Sequence, residues 1–197
     1  MKATQQLMDE HESIKIVLSA METIYNDLEN KVAFDTLQFE KIIDFIKVFA
    51  DINHHGKEEE LLFPALEKKG FSHDSGPVRV MVNEHQIGRS YIIALTEAVS
   101  EYKNGDKKVL ENIISLSRDY VTLLRNHIEK ENKVLFPMAD QVLDPEESNM
   151  LFDAFEKIGE ERMGTVKHKE YITLVEDFRS TFLANNLKKN NFKIEMI

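Results

Sequence analysis

The stretch HHGKEEELLFP (residues 54–64) returns in the same chain as HIEKENKVLFP (residues 127–137). Each copy carries a histidine, a glutamate four residues on, and a closing Leu-Phe-Pro. Two such copies read as an internal repeat. Each lies in a run whose apolar residues recur every three or four positions, the period of a helix with one buried face. In the second copy, His127 and Glu131 continue the stripe of Leu110, Ile113, Ile114, Tyr120, Val121, Leu124 and Leu135. In the first, His54 and Glu58 follow Ile43, Ile46 and Ala50. A histidine and a glutamate therefore stand twice where core residues belong.

Working outward, two more helices carry one inward histidine each. The first, over about residues 4–30, aligns Leu7, His11, Ile14, Leu18, Met21, Tyr25 and Leu28. The third opens at Ser75-Gly76-Pro77, stops at Asn104-Gly105 and aligns His85 with Val78, Met81, Val82, Ile92, Leu95 and Val99. The second helix starts at Asp35, an N-cap with Gln38 three residues on, and ends at Gly70. The fourth is capped by Asp106 and runs to about Asp140. A fifth runs from Asp144-Pro145 to near Gly164, and a sixth from Thr165 to about Leu187. The polar end, residues 185–197, is expected to fray. No convincing strand pattern is present. Short connections place neighbouring helices antiparallel. The expectation is an all-α protein: an up-down-up-down four-helix bundle over residues 1–142, with one or two extra C-terminal helices over 143–197 packed on or near it. Pro64 and Pro137 should kink their helices or mark the last turns.

The inward polar residues agree in height. His11 lies about as far from the end of its helix as His54 does from the start of the next, some eighteen residues at roughly 1.5 Å each. His85 and His127 match across the third and fourth helices in the same way. Residues four apart share a helix face. Six side chains, His11, His54, Glu58, His85, His127 and Glu131, thus converge on one layer. A buried ionised carboxylate needs a partner. The chain has no cysteine, which leaves imidazole and carboxylate as metal ligands. That donor set suits iron, zinc, manganese or cobalt.

Composition narrows the classes. The formal net charge is −10, which repels phosphate backbones and anionic lipid, so neither nucleic acid nor membrane is an expected partner. Disulfides, thiolate metal sites and iron–sulfur clusters are excluded by the lack of cysteine. The opening MKATQQLMDEHESI has no apolar signal region, and no long uncharged apolar run follows, so a cytoplasmic protein is expected.

Taken in order, DEHESI, HHGKEEELLFP, NEHQIGR and HIEKENKVLFP make the sequence resemble the hemerythrin-like family, also called the HHE cation-binding domain, from about Leu7 to Asp140. The resemblance implies a four-helix bundle around a non-haem di-iron centre, with two iron ions held by His11, His54, Glu58, His85, His127 and Glu131. Glu58 and Glu131 would be the bridges. It implies a protein that binds or senses O2, NO or redox state, with a small diatomic or peroxide as ligand.

One position departs from the pattern. Oxygen-carrying members have a second histidine four residues after the one on the third helix, and here Arg89 stands there. Arginine cannot ligate iron; pairing with Glu58, Glu131 or a bound anion is expected of it. His55 and His168 are the open alternatives for the missing ligand. Against them stand a surface or outer role for His55 and an exposed helix start for His168. His73 is expected in solvent. The departure favours a sensor or metal-binding protein over a dedicated oxygen carrier or an established enzyme. A di-iron oxidoreductase acting on NO or peroxide, and an iron storage or repair protein, are the alternatives. The family's repair members carry a cysteine-bearing N-terminal segment, which counts against repair here. The extension, through Leu151, Phe152, Phe155 and Ile158, either contacts a protein partner or caps the bundle. Asp9, Glu12, Glu59 and Glu84 are candidate acceptors for the outer ring nitrogens. Gly56 and Gly88 leave room for a gas molecule or for close helix packing.

Overall fold

Why four of these helices stand side by side follows from their single apolar faces, each of which needs another to cover it. The structure, a computed structural model, describes residues 1–194, with side chains through residue 181. The expected frayed end at 185–197 lies outside the fully described residues.

Helix α1 is Lys2–Glu29. Helix α2 (36–68) is built in pieces: Thr36–Phe45, Ile46–His55, Glu58–Leu62 and Phe63–Lys68. Helix α3 is Gly76–Lys103. Helix α4 (107–142) opens with a tight turn at Lys107–Val109 and continues as Leu110–Lys130, Glu131–Leu135 and Phe136–Val142. Helices α5, Pro145–Arg162, and α6, Gly164–Ile194, follow. The boundaries have local causes. Asp35 accepts a hydrogen bond from the Gln38 N–H at 3.1 Å. Asp144 and Glu147 form both halves of a capping box. Gly70 ends α2 at φ +96°, a conformation that costs residues with a Cβ far more.

Helices α1 to α4 pack in a closed ring, α1 on α2, α2 on α3, α3 on α4 and α4 on α1. Helix α5 lies on α1 and α2, and α6 on α1. Among the described residues of the extension, Phe155 is buried from α5, and Tyr171, Val175 and Phe178 are buried from α6, while Leu151, Phe152 and Ile158 are half-buried.

The apolar interior falls into two clusters. One gathers Ile14, Leu18, Phe45, Leu95, Val121 and their neighbours. The other gathers Leu7, Leu62, Phe63, Met81, Leu135, Phe136 and Phe155. Each fully buried side chain of this size contributes about 1.5–3 kcal/mol. Between the two clusters sits a layer of buried histidine and glutamate.

That layer coincides with irregular winding. Ile46–His55, Glu58–Leu62 and Glu131–Leu135 are wound as π-helix, in which each N–H reaches five residues back. The Phe63 N–H bonds to the Glu58 carbonyl and the Phe136 N–H to the Glu131 carbonyl. Pro64 and Pro137 follow directly and open the closing α-segments, where a missing N–H is best tolerated. Among the described residues no helix is long and apolar enough to cross a membrane.

Candidate metal centre

The six expected side chains meet, and a seventh joins them. His11, His54, Glu58, His85, His127 and Glu131 are all buried at 1% exposure or less, and His55 at 6%. Two groups form. His11, His54, Glu58 and Glu131 offer ligand atoms within 4.8 Å of one another, and so do His55, Glu58, His85 and His127. Glu58 belongs to both: one oxygen lies 3.6 Å from His54 Nε2, the other 3.5 Å from His85 Nε2. Glu131 is split in the same way, 3.2 Å from His11 Nε2 through one oxygen and 3.2 Å from His127 Nε2 through the other.

Every one of the five rings is fixed from behind by an oxygen on Nδ1. His11 donates to Asn132 at 2.8 Å, His54 to Glu10 at 2.8 Å, His55 to Asp51 at 3.4 Å, His85 to Glu59 at 2.6 Å and His127 to Glu84 at 3.0 Å. These partners place a proton on each Nδ1 and turn each Nε2 inward; at His127 the Glu131 and Glu84 carboxylates raise the ring to about 9, so its Nε2 also carries a proton that a metal would displace. Two carboxylates are themselves anchored by lysines, Glu10 by Lys57 and Glu84 by Lys130.

The repeat therefore extends through the outer contacts. Glu10 precedes His11 and holds the histidine of α2; Glu84 precedes His85 and holds that of α4. Glu59 follows Glu58 and holds His85; Asn132 follows Glu131 and holds His11. Lys57 and Lys130 each lie three residues after the histidine they flank. The closing motif also acquires a role. Phe136 stacks on His11 with centroids 5.6 Å apart, and Phe63 on His85 at 6.0 Å. Of the expected acceptors, Glu59 and Glu84 hold rings. Asp9 instead accepts from Gln5, and Glu12 pairs with Lys15. Glu10, Asn132 and Asp51 were missed, although the Glu-His pair at 10–11 and 84–85 marks Glu10 in register with Glu84.

His55 breaks the symmetry, since the matching position in the second copy is the buried apolar Ile128. It stacks on His85 with centroids 3.8 Å apart. In a regular α-helix adjacent residues point about 100° apart; the wider π winding of Ile46–His55 narrows that angle and brings both His54 and His55 inward. His168 lies outside the layer, exposed on α6. His73 is 56% exposed at its side chain and pairs with Glu67.

Arg89 does not reach Glu58 or Glu131. It donates to Asp51 at 2.8 Å and to Glu59 at 2.8 Å, where its side chain stays 35% exposed. A guanidinium is less costly at that half-open edge than beside the buried bridging carboxylates. It thereby fixes the two acceptors that hold His55 and His85.

The layer fits metal cations. His11 Nε2, His54 Nε2 and all four oxygens of Glu58 and Glu131 are buried without a hydrogen-bond partner. His85 Nε2 and His127 Nε2 face each other at 3.0 Å. Buried anions and converging lone pairs cost several kcal/mol each unless positive charge lies between them. Electrostatics inside the layer pull neighbours apart. Burial and the Glu131 carboxylate push Glu58 well above the usual carboxylate range. Burial works against ionisation of Glu131 too, yet His127 and His11 hold it well below that range. Burial drives His54 down to about 3 and, with help from His55, His85 to about 3. Two imidazoles so reluctant to take a proton remain free to donate to a metal.

A cavity of about 230 Å³ adjoins the second group of ligand atoms, with His55, His85, Gly88, Arg89, Ile92 and Tyr120 in its wall. Gly88 opens into this space: a Cβ there would lie 3.7 Å from the Tyr120 ring, an ordinary contact. Gly56 serves packing instead, for a Cβ there would fall 2.0 Å from the Arg162 guanidinium.

The family model of the hemerythrin HHE cation-binding domain matches residues 2–139. Proteins of Yersinia pestis (strain Pestoides F) and Yersinia pseudotuberculosis (serotype O:1b, strain IP 31758), each called iron-sulfur cluster repair protein YtfE, are 34% identical to this chain over 89 residues. That stretch is 44% of this chain and 40% of theirs, so the chain matches less than half the length of these relatives. No solved structure matches the chain.

Proposed function

Because the chain belongs to the hemerythrin HHE cation-binding domain family, we propose that it holds two iron ions in the histidine–glutamate layer and binds a diatomic gas or peroxide beside them. One ion would be held by His11 and His54, the other by His55, His85 and His127, with Glu58 and Glu131 shared between them. The observation that carries this reading is the fixing of all five rings through Nδ1, which turns five Nε2 atoms and four carboxylate oxygens toward one another. Iron, rather than the zinc or manganese that the same donors accept, is supported by the name of the Yersinia relatives. A pair of iron ions there supplies a position for a small ligand and one-electron redox chemistry.

The chain's own part is to orient and to exclude. Glu10, Glu59, Glu84, Asp51 and Asn132 hold the rings in place. The two apolar clusters keep water from the layer on both sides. The cavity at His55 and His85 gives a small ligand its approach, and Arg89 and Tyr120 stand in its wall. Reversible binding makes the protein a sensor of O2, NO or redox state.

A second reading, iron-sulfur cluster repair, is favoured by the Yersinia relatives. One experiment separates the two. The iron-loaded, reduced chain is mixed anaerobically with NO, and its visible spectrum is followed; a parallel sample is mixed with a cluster protein stripped of its iron. Reversible spectral change with iron retained supports ligand sensing. Transfer of iron to the acceptor supports repair. Steady consumption of NO or peroxide would instead mark an oxidoreductase.

A further inference from the structure

Arg162, the last residue of α5, reaches across to the turn of α2 that carries His54 and His55. Its guanidinium donates to the Ile52 carbonyl at 2.9 Å and pairs with Glu60 at 2.5 Å. It occupies the space that Gly56 leaves, as the 2.0 Å approach to a Cβ there demonstrates. These contacts fall on the π-wound stretch Ile46–His55. There the backbone N–H groups that close the stretch, from Gly56 onward, bond to the carbonyls of Asp51, Asn53 and His54, and Arg162 supplies a donor to the Ile52 oxygen from outside the helix.

The second copy of the repeat acts as an internal control. There the residues before His127 are ordinary α-helix, Leu110–Lys130, and the residue after it is Ile128 instead of a histidine. Long π winding, an inward second histidine and the arginine contact thus occur together in one copy and are all absent from the other among the described residues. Arg162 also lies outside residues 2–139, the part of the chain that the family model matches.

We propose that Arg162 is a positioning residue: it holds the wide turn of α2 open and thereby keeps His55 facing the metal layer. Without it the turn relaxes toward regular α-winding, which rotates His55 away while His54 and Glu58, one turn apart on the same face, stay in place. The consequence for metal binding rests on the proposed function; the consequence for the position of His55 does not.

The test uses the full chain stripped of metal by chelation and measures modification of each histidine by diethyl pyrocarbonate, mapped by peptide mass spectrometry. In Arg162→Ala the modification of His55 is expected to rise roughly ten-fold through local opening of the turn, with His11 and His54 unchanged. Gly56→Ala, which displaces the guanidinium from the other side, should do the same, and Arg162→Lys should fall between wild type and Arg162→Ala. Unchanged protection of His55 in Arg162→Ala and Gly56→Ala would overturn the proposal. So would equal exposure of all five histidines, which marks general loosening. Metal content is measured on separate samples of the same proteins. A wild-type chain that binds no metal defeats the proposed function but leaves the His55 result standing on its own.

Discussion

His85 and His127 face each other Nε2 to Nε2 at 3.0 Å, while their Nδ1 atoms donate to Glu59 and Glu84. Both Nδ1 protons are engaged on the outer side, so the two Nε2 atoms converge in a dry interior, where burial holds His85 down to about 3 and the Glu131 and Glu84 carboxylates hold His127 up to about 9. A metal cation would take the place of the inner proton on His127 and offset the repulsion between Glu58 and Glu131.

Metal should therefore stabilise the fold strongly. A ligand present at a thousand times its dissociation constant adds about 4 kcal/mol. The loaded chain is expected to melt well above the chelated chain in calorimetry, and the difference should return on adding iron anaerobically. Equal melting temperatures would contradict a buried cation site.

Replacing Glu58 by Gln should separate binding from stability. Burial and Glu131 hold the Glu58 carboxyl well above its usual range, so the metal-free chain carries it as the neutral acid, which Gln imitates. Urea unfolding of the stripped variant should fall within about 1.5 kcal/mol of wild type, since one neutral side chain replaces another of nearly the same shape and volume. Metal binding should be lost. A large fall in the stability of the stripped variant would count against this electrostatic picture.

Glu10 is the outer residue with the most to lose. It accepts from His54 and pairs with Lys57, which is itself 2% exposed. Glu10→Ala should cost about 3–5 kcal/mol, the effect of stranding a buried charge, and should weaken metal affinity 10–100-fold, roughly the loss seen when such ring anchors are removed. Glu12→Ala and His73→Ala should leave both quantities unchanged. Chemical denaturation and competition with a chromogenic chelator read the two effects separately.

Gly88 borders the cavity, so a large side chain there should close it. Gly88→Leu is expected to retain metal and to slow the binding of azide or NO at least roughly ten-fold, as loss of access does in gated sites. Gly88→Ala, whose Cβ meets Tyr120 at an ordinary 3.7 Å, should behave as wild type. Stopped-flow rates compare them. Equal rates in Gly88→Leu would place the approach elsewhere.

Much of this was legible in the sequence, and the remainder has a physical reason for being hidden. Periodicity and caps marked the helices: Asp35 with Gln38, the start at Asp144-Pro145, and Gly70 all act where the spacing put them. His11, His54, Glu58, His85, His127 and Glu131 could be found because each interrupts an apolar stripe at a matched height. His55 could only be an open alternative, because apolar periodicity reports a mean of 3.6 residues per turn and does not show where winding widens. Its inward turn depends on the π stretch Ile46–His55, which takes a tertiary contact from Arg162, more than a hundred residues away. Glu10 was within reach through its match to Glu84, but Asn132, standing where the first copy has Glu59, breaks the residue type and is recognised only in space. Arg89 was placed on the correct helix and given the wrong carboxylates, because sequence cannot weigh a half-open edge against a sealed layer.

The central claim is that five imidazoles and two carboxylates surround a pair of cations. Crystals of the full chain loaded anaerobically with iron, with diffraction recorded at the iron absorption edge, test it directly. Two anomalous peaks per chain are expected, one beside His11 and His54 and one beside His55, His85 and His127, with Glu58 and Glu131 between them. A single peak, or iron held away from this layer, would contradict it.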